Sequence, residues 1–418
     1  MNIGYMCQYF APEVSAPSAR GLEMARVWRD AGHAVKVLTA FPNHPRGVVP
    51  EGYRGRRWMV EPMEGLTVFR SWVYVTPNEG FVKRVLNHLS FTASAVVQTL
   101  PRLGPLDVLV VSSPSFFPVV AAWLISRARR APFVFEVRDL WPGIFVMLGV
   151  LKDGPILRGL EALELFLYRR AAHVVTVTHA FKRILVERGV PEAKVTVVTN
   201  GVDLSLFRPA PVNEALRLEW GVAGKFVALY LGTHGISQAL ETHLAAAEAL
   251  RDEPDFAFVF IGDGARKRDL MALAEARGLT NVRFLDPVPK AEVPACYAAA
   301  DVCFVPLRDI PLFDSFIPSK IFEILGCARP IIGSVEGEPA EILAASGAAR
   351  VVKPEDVAAL VAALRAEREA LDRAERGAAG RAFVEAHYDR EVLAHRYLAL
   401  LRTLAETAGG TVGKEVTP

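Results

Sequence analysis

The chain has no run of 18 or more unbroken apolar residues, so no segment is expected to cross a membrane as a helix. Its opening stretch, MNIGYMCQYFAP, has neither a basic leader nor a cleavage site, so no signal peptide is expected there. Cysteine is scarce: Cys7, Cys296, Cys303 and Cys327 are the only four. None has the spacing of a metal or redox motif, and each lies in or beside an apolar run. They read as buried free thiols of a reducing compartment. Charge of one sign is also missing. With 48 basic and 46 acidic residues the net charge is +2, so no overall field recruits nucleic acid and any basic patch is local. The expectation is a cytoplasmic protein with no nucleic-acid partner.

What is present is globular: 51% hydrophobic and 22% charged residues, in a chain of 418, too long for one ordinary core. Short apolar runs alternate with helix-like segments. NIGYMC precedes the helical SARGLEMARVWRDAGH, and AVKVLTAF, DVLVVSS, PFVFEV, HVVTVT and KVTVVTN follow. After residues 200–225, a Pro- and Gly-containing connection, the pattern restarts with KFVALYLGT, FAFVFIGDG, VRFLD, DVCFVPL and PIIGSV. Continuous apolar strands separated by helices predict parallel sheets covered on both faces. The fold class is therefore α/β, with two doubly wound Rossmann-like domains. The first spans 1–203 and the second 204–387. A last helix at 388–405 is free to cross back onto the first domain, and 406–418 is a tail expected to fray. Ligands of open α/β sheets bind beyond the carboxyl ends of the strands, so two such sheets facing each other would form a cleft.

Three loops after strands of the second domain look suited to an anion. In SFIPSKIFEILGCARPII, Ile321, Ile324 and Leu325 have the spacing of a buried helix face, which leaves Lys320 and Glu323 together on another side. The N–H groups around Ser319 and Lys320 would favour an anion, and Glu323 could accept from ribose hydroxyls. An ordinary ion pair is the plainer reading of the same spacing. YLGTHGISQALE sets Gly232, Thr233 and Gly235 around His234, placed at the loop tip, and FIGDGARKRDL repeats the layout with Gly262, Asp263 and Gly264. Each glycine loop alone reads equally as a tight turn; together the three loops point to a nucleotide diphosphate.

In the first domain, FEVRDLWP places Arg138 and Asp139 at a strand's carboxyl end, to line the cleft or to fix the loop by a local salt bridge. FPNHPRG offers His44 and Arg46 to an acceptor, or merely to solvent. Residues 78–103 mix Lys83, Arg84, His88 and Arg102 with apolar positions. They read first as a core helix with a solvated basic edge, with peripheral contact to a membrane surface as the alternative.

These motifs resemble the family-4 retaining glycosyltransferases of the group 1 class, which have the GT-B architecture. VVTNGVDLSLFRP matches the family's linker, and GDG, PVPKAEVPACYAAADVCFVPL and SKIFEILGCARPII follow in its order. FPNHPRG, EVRDLWP, YLGTHGISQALE and IPSKIFE resemble the O-antigen and capsule subgroup that includes N-acetyl-fucosamine transferases. The likeness covers roughly residues 1–400. It implies retaining transfer of a sugar from a nucleotide diphosphate, usually UDP-linked, to a glycan or lipid-linked acceptor, with no cofactor and no metal. The donor would bind the second domain, through the three loops and through Pro287 and Val288 near the base. Glu323 matches the family's ribose-holding Glu, Ser319 and Lys320 its diphosphate segment, and Arg138 with Asp139 its reacting-centre pair. Two departures stand out. Ser315 occupies the place of the family's first Glu, and Thr233 and Gln238 occupy those of its diphosphate-binding Arg and Lys. Lys320, Arg138 and His234 are the candidates to supply the missing cation. A UDP-sugar 2-epimerase of the same fold, or a nucleotide-sugar-binding subunit without turnover, are the alternative readings.

Overall fold

The computed structural model describes all residues except 14, 45–46, 77–80, 114, 144–145, 147–151 and 413–418. The chain divides into two compact units, residues 1–200 with the segment from Arg390 onward, and Gly201–Asp389.

In the first unit, eight strands form one sheet: β1 (Asn2–Met6), β2 (Ala34–Ala40), β3 (Trp58–Met63), β4 (Leu66–Ser71), β5 (Val108–Ser112), β6 (Phe133–Val137), β7 (His173–Thr176) and β8 (Val195–Val197). Their order is β3-β4-β2-β1-β5-β6-β7-β8, so the strand order reverses between β1 and β5. Every residue of β5 and β6 is buried, as expected of central parallel strands with helices on both faces. The hairpin β3–β4 is an addition to the pattern read from sequence, and its antiparallel pairing places β3 at the sheet edge. Glu64 and Gly65, both at positive φ (51° and 76°), form the two-residue turn that matches strand twist.

The C-terminal helix, Arg390–Val412, belongs to this unit and packs on the helix Ala16–Asp30. Trp28, fully buried, donates its indole N–H to the Ala394 carbonyl at 3.1 Å and meets Tyr397 edge-on at 5.4 Å. Tyr5 of β1 also meets the Trp28 ring edge-on, at 6.0 Å. The tail expected to fray from 406 is thus helical as far as Val412. Trp28→Ala should lower stability by about 3–5 kcal/mol, the usual loss for a buried aromatic truncated to Ala. Urea unfolding measures it; a loss below about 1 kcal/mol would mean that the two terminal helices are not docked through this ring.

The second unit has six strands: β9 (Phe226–Leu231), β10 (Phe256–Ile261), β11 (Val282–Leu285), β12 (Val302–Pro306), β13 (Ile331–Ser334) and β14 (Ala349–Val352). All pairs are parallel, in the order β11-β10-β9-β12-β13-β14. This is the dinucleotide-fold order, with its reversal between β9 and β12. The side chains obey the period of two. Val227, Leu229, Ala257 and Val259 join one core, with the helix Lys320–Gly326, while Phe226, Ala228, Tyr230, Phe256 and Phe258 join the other, with the helices Leu240–Ala249 and Val357–Glu369. Sequence reading ended this sheet at PIIGSV; β14 extends it by one short, half-buried edge strand.

Candidate active site

Where β9 and β12 part, the second unit's loops gather at the carboxyl ends of its strands. The two glycine loops are tied to each other rather than standing apart. The Gly232 N–H donates to the Ile261 carbonyl, and the His234 N–H to the Asp263 carbonyl, both at 2.9 Å. The Arg266 N–H returns to the His234 carbonyl at 2.9 Å. This pairing continues the β9–β10 ladder past the sheet and brings backbone against backbone. A Cβ on Gly262 would overlap the Gly232 carbonyl oxygen, and one on Gly264 would sit 2.5 Å from that of His234. Glycine is required at both positions for that close approach.

Lys320 reaches into this floor from the first residue of its helix. Its Nζ lies 3.9 Å from the centroid of the Tyr230 ring, a cation–π contact. A Cβ on Gly232 would come within 2.5 Å of the same nitrogen, so the absent side chain makes room for the amine. Burial pulls the Lys320 pKa down to about 7, although the Glu323 carboxylate works against that shift. Lys320 is therefore a cation easily lost to base and readily restored by an anion. Tyr230 is fixed in turn by its hydroxyl, which donates to the Thr233 carbonyl at 2.6 Å.

One turn along, Glu323 is half-buried and its carboxyl is raised by burial, with Lys290 and Lys320 pulling it back. The Tyr297 hydroxyl lies 3.5 Å from its Oε2. The Lys320–Glu323 spacing seen in the sequence thus carries charge coupling, but each side chain also has an aromatic partner, Tyr230 or Tyr297. Ser319 caps the helix without a side-chain hydrogen bond to it.

His234 is the main correction. Expected at the loop tip as a cation, its side chain is fully buried, facing Tyr230 at 5.7 Å, Phe284 at 6.1 Å and Phe260 at 6.5 Å. Burial, with help from Lys267 and Lys320, lowers its pKa to about 4, so the ring is neutral at pH 7. It wedges the loop from below and supplies no charge to a ligand. The reason is the ladder just described, which turns this residue inward. Thr233 and Asp263 are exposed; the Asp263 carboxylate is engaged by the Gly264 N–H at 2.8 Å. Gly235 donates its N–H to Gln238 Oε1 at 3.1 Å, so Gln238 closes its own turn. Pro287 is exposed and Val288 half-buried, both just past β11.

Ser315, 6% exposed, spends its hydroxyl on the Leu312 carbonyl at 2.7 Å inside the turn Pro311–Ser315. It therefore does not stand in for an acid. Arg308, which sequence reading passed over, spans the reversal point. Its backbone N–H donates to the Ser237 carbonyl at 2.8 Å, its Nε to the Ile236 carbonyl at 3.0 Å, and its guanidinium pairs with Glu241. The only sign of it in the sequence is a cation two residues beyond strand β12.

In the first unit Arg138 and Asp139 follow β6 and are half-buried. The Arg138 N–H donates to Ser113 Oγ at 2.9 Å, while its Nη1 has no partner among the described residues. Burial lowers the Arg138 pKa and raises that of Asp139, which Arg138 partly offsets. Behind them Glu136 is neutralised by Arg20 at 3.1 Å and accepts from Ser112 Oγ at 2.8 Å, a buried network that fixes the end of β6. The His44 ring meets that of Tyr9 at 4.9 Å with the planes tilted by 52°, and its backbone N–H donates to Glu13 at 2.8 Å. Tyr9, Asn43 and His44 line a small pocket with Arg84 and Asn87. Arg46 lies outside the described residues.

Residues 16–201 match the glycosyl transferase 4-like domain, and residues 225–366 match glycosyl transferases group 1. WcaI of Escherichia coli K12, a protein named for glycosyl transfer in colanic acid biosynthesis, is 28% identical over 407 residues, covering 94% of this chain and 98% of that one. Among solved structures, the sucrose-phosphate synthase of Thermosynechococcus elongatus superposes with a TM-score of 0.76 at 18% identity, covering 97% of this chain and 99% of that one. HepE of Anabaena, in complex with UDP and glucose, gives 0.71 at 16% identity, covering 96% of this chain and 100% of that one. At such identities the two structures speak for the fold alone, which is GT-B.

Proposed function

We propose that this chain, which belongs to the glycosyltransferase group 1 family, takes a sugar from a UDP-linked donor held by its second unit. It passes that sugar to a glycan or lipid-linked acceptor in the making of a surface polysaccharide. The relative named for colanic acid biosynthesis supports the polysaccharide part of the reading. The observation that carries the donor part is Lys320: an amine above the Tyr230 ring, beside a glycine without which it would not fit, with Glu323 one turn on.

In this reading the anomeric C–O bond to the diphosphate breaks and the bonding pair leaves with the phosphate oxygen. Lys320 meets the charge that builds there, which is where a fixed cation lowers a barrier most. The acceptor oxygen forms the new bond to the anomeric carbon and its proton passes to the departing phosphate oxygen. Glu323 accepts from the ribose, Pro287 and Val288 flank the base, and the configuration at the anomeric carbon is kept. Arg138 and Asp139, with His44, are assigned to the acceptor side. The reading gives the leaving-group charge to Lys320 rather than to a metal ion, and an N-acetylated amino sugar is the proposed cargo.

A thermal-shift screen over nucleotide sugars tests it, because a ligand that binds only the folded state raises apparent stability. UDP-sugars should raise the melting temperature, and Glu323→Gln should weaken that shift by about tenfold in affinity, the order of one charge-assisted hydrogen bond. If no nucleotide sugar shifts the protein, the donor reading fails. Donor incubated without acceptor should give slow release of UDP; a new epimer seen by NMR would favour the epimerase, and neither release nor transfer the binding subunit.

A further inference from the structure

The strand Val302–Pro306 is buried at every position, and the chain leaves the sheet through Leu307 and Arg308. Successive N–H groups there point to opposite neighbours, as they do along a parallel strand. The Leu307 N–H donates to the Ser334 carbonyl of β13 at 3.0 Å, and the Arg308 N–H to the Ser237 carbonyl, in the loop after β9, at 2.8 Å. That loop needs holding. Ala239, 2% exposed, sits at φ 44° and ψ 44°, a left-handed conformation that an L residue disfavours. Ile236 is 59% exposed, so little packing fixes the turn Ile236–Gln238. The loop's inner end is fastened by the Tyr230 hydroxyl on the Thr233 carbonyl. At its outer end, Arg308 is the only side chain from outside the loop, among the described residues, that hydrogen-bonds residues 236–238. Its Nε takes the Ile236 carbonyl, and its guanidinium pairs with Glu241 in the first turn of the next helix. The same Nε lies 3.6 Å from Glu355, a second left-handed residue at φ 62°, and Asp309 meets Lys353 at 3.5 Å. One guanidinium thus joins two turns that the backbone alone would not favour.

We infer that Arg308 is a positioning residue for the nucleotide donor: it clamps the turn Ile236–Gln238 from outside and so fixes Thr233–Gly235, the stretch next to the Lys320 amine, in the shape that a diphosphate meets. The inference rests on the donor reading above. Arginine suits the task because its planar fork reaches a carbonyl and a carboxylate together, which the single ammonium of lysine does not. Its charge is matched by Glu241, so what it gives the donor is the shape of the loop rather than a cation. A loop held in place before the ligand arrives loses less freedom on binding.

Calorimetry of UDP binding to the full chain tests this. Arg308→Ala should weaken UDP by about tenfold, the order of the loop-ordering cost that the clamp removes. Guanidinium ion at millimolar concentration should restore part of that loss in Arg308→Ala and do nothing to the parent. Arg308→Lys, which keeps the charge and loses the fork, should bind as poorly as Arg308→Ala. Glu241→Gln should weaken UDP as well, although it takes a negative charge out of the surroundings of an anion. A cation acting directly on the diphosphate predicts the reverse for both, recovery by lysine and tighter binding by Glu241→Gln, and either result overturns the inference. Melting temperatures of the free variants show whether they fold; Glu241→Gln, with Arg308 intact, carries the test should Arg308→Ala unfold. A parent that binds UDP, with Arg308→Ala and Glu241→Gln binding it equally well, refutes the inference alone. A parent that binds no UDP refutes the donor reading, and the inference with it.

Discussion

Lys320→Ala should lower turnover by about 100- to 1,000-fold, the loss seen when one preorganised charge-stabilising group is removed. The protein should fold as well as before or better, because the substitution takes away an amine that burial already penalises. That contrast separates a catalytic cation from a structural one, since the partner of a structural ion pair would be left exposed to the loss. Equal turnover in variant and parent would remove Lys320 from the reaction. The pH dependence gives a second readout. The folded value is about 7 against an ordinary 10.5, so between those limits the unfolded chain holds a proton that the folded chain has lost. The sign follows: the cost of burying this ammonium is fully present below pH 7, and the group's contribution to stability improves as pH rises from 7 to 10.5. A bound diphosphate reverses the shift and draws a proton back. Calorimetry of UDP-sugar binding at about pH 8, run in buffers of different ionisation enthalpy, should therefore show uptake of up to about one proton. Affinity should fall by no more than about tenfold for each pH unit above the free value. Lys320→Met should abolish both effects.

Gly262→Ala should be the most damaging small substitution in the second unit. The new methyl group would overlap the Gly232 carbonyl oxygen, and its own backbone sits at φ 142°, where an L residue is strained. Neither partner can yield by rotating a side chain, because both are backbone. The two glycine loops must part, which breaks the Gly232–Ile261 and His234–Asp263 hydrogen bonds. We expect a loss of at least about 2–3 kcal/mol of stability, from backbone strain and overpacking together. The donor-dependent thermal shift should disappear as well. Gly278→Ala, with open space around its Cβ but a positive φ of 62°, is the control: it should cost about 1 kcal/mol through strain alone and leave donor binding intact. Should Gly262→Ala bind UDP-sugars like the parent, the paired loops are not the donor floor.

Much of this protein is fixed by local pattern. Residues 108–111 and Phe256–Ile261 are apolar at every position, the composition expected of a strand covered on both faces. The parallel sheets, the two units and the closely spaced Lys320 and Glu323 all follow from periodicities of two and 3.6 residues that a sequence displays openly. The edge pieces were less legible. The edge strands β3 and β14 are only partly covered, so they lack the continuous apolar run that marks a strand buried on both faces.

What only the tertiary structure decided is the company each side chain keeps. His234 reads in sequence as an exposed loop histidine; hydrogen bonds to the 261–266 loop turn it inward among three aromatic rings, and it loses its charge. Tyr230 reads as one more apolar residue of a buried strand; it becomes the seat of the Lys320 ammonium because the helix from Lys320 begins above the end of β9. The outward face of Phe81–Ser94 likewise depends on which side the core takes, and periodicity alone marks a stripe without saying which stripe is inside. Spacing along the chain determines which residues share a face. Which face meets water, and which cation meets which ring, depends on contacts between residues far apart in sequence, and those exist only once the sheet has closed.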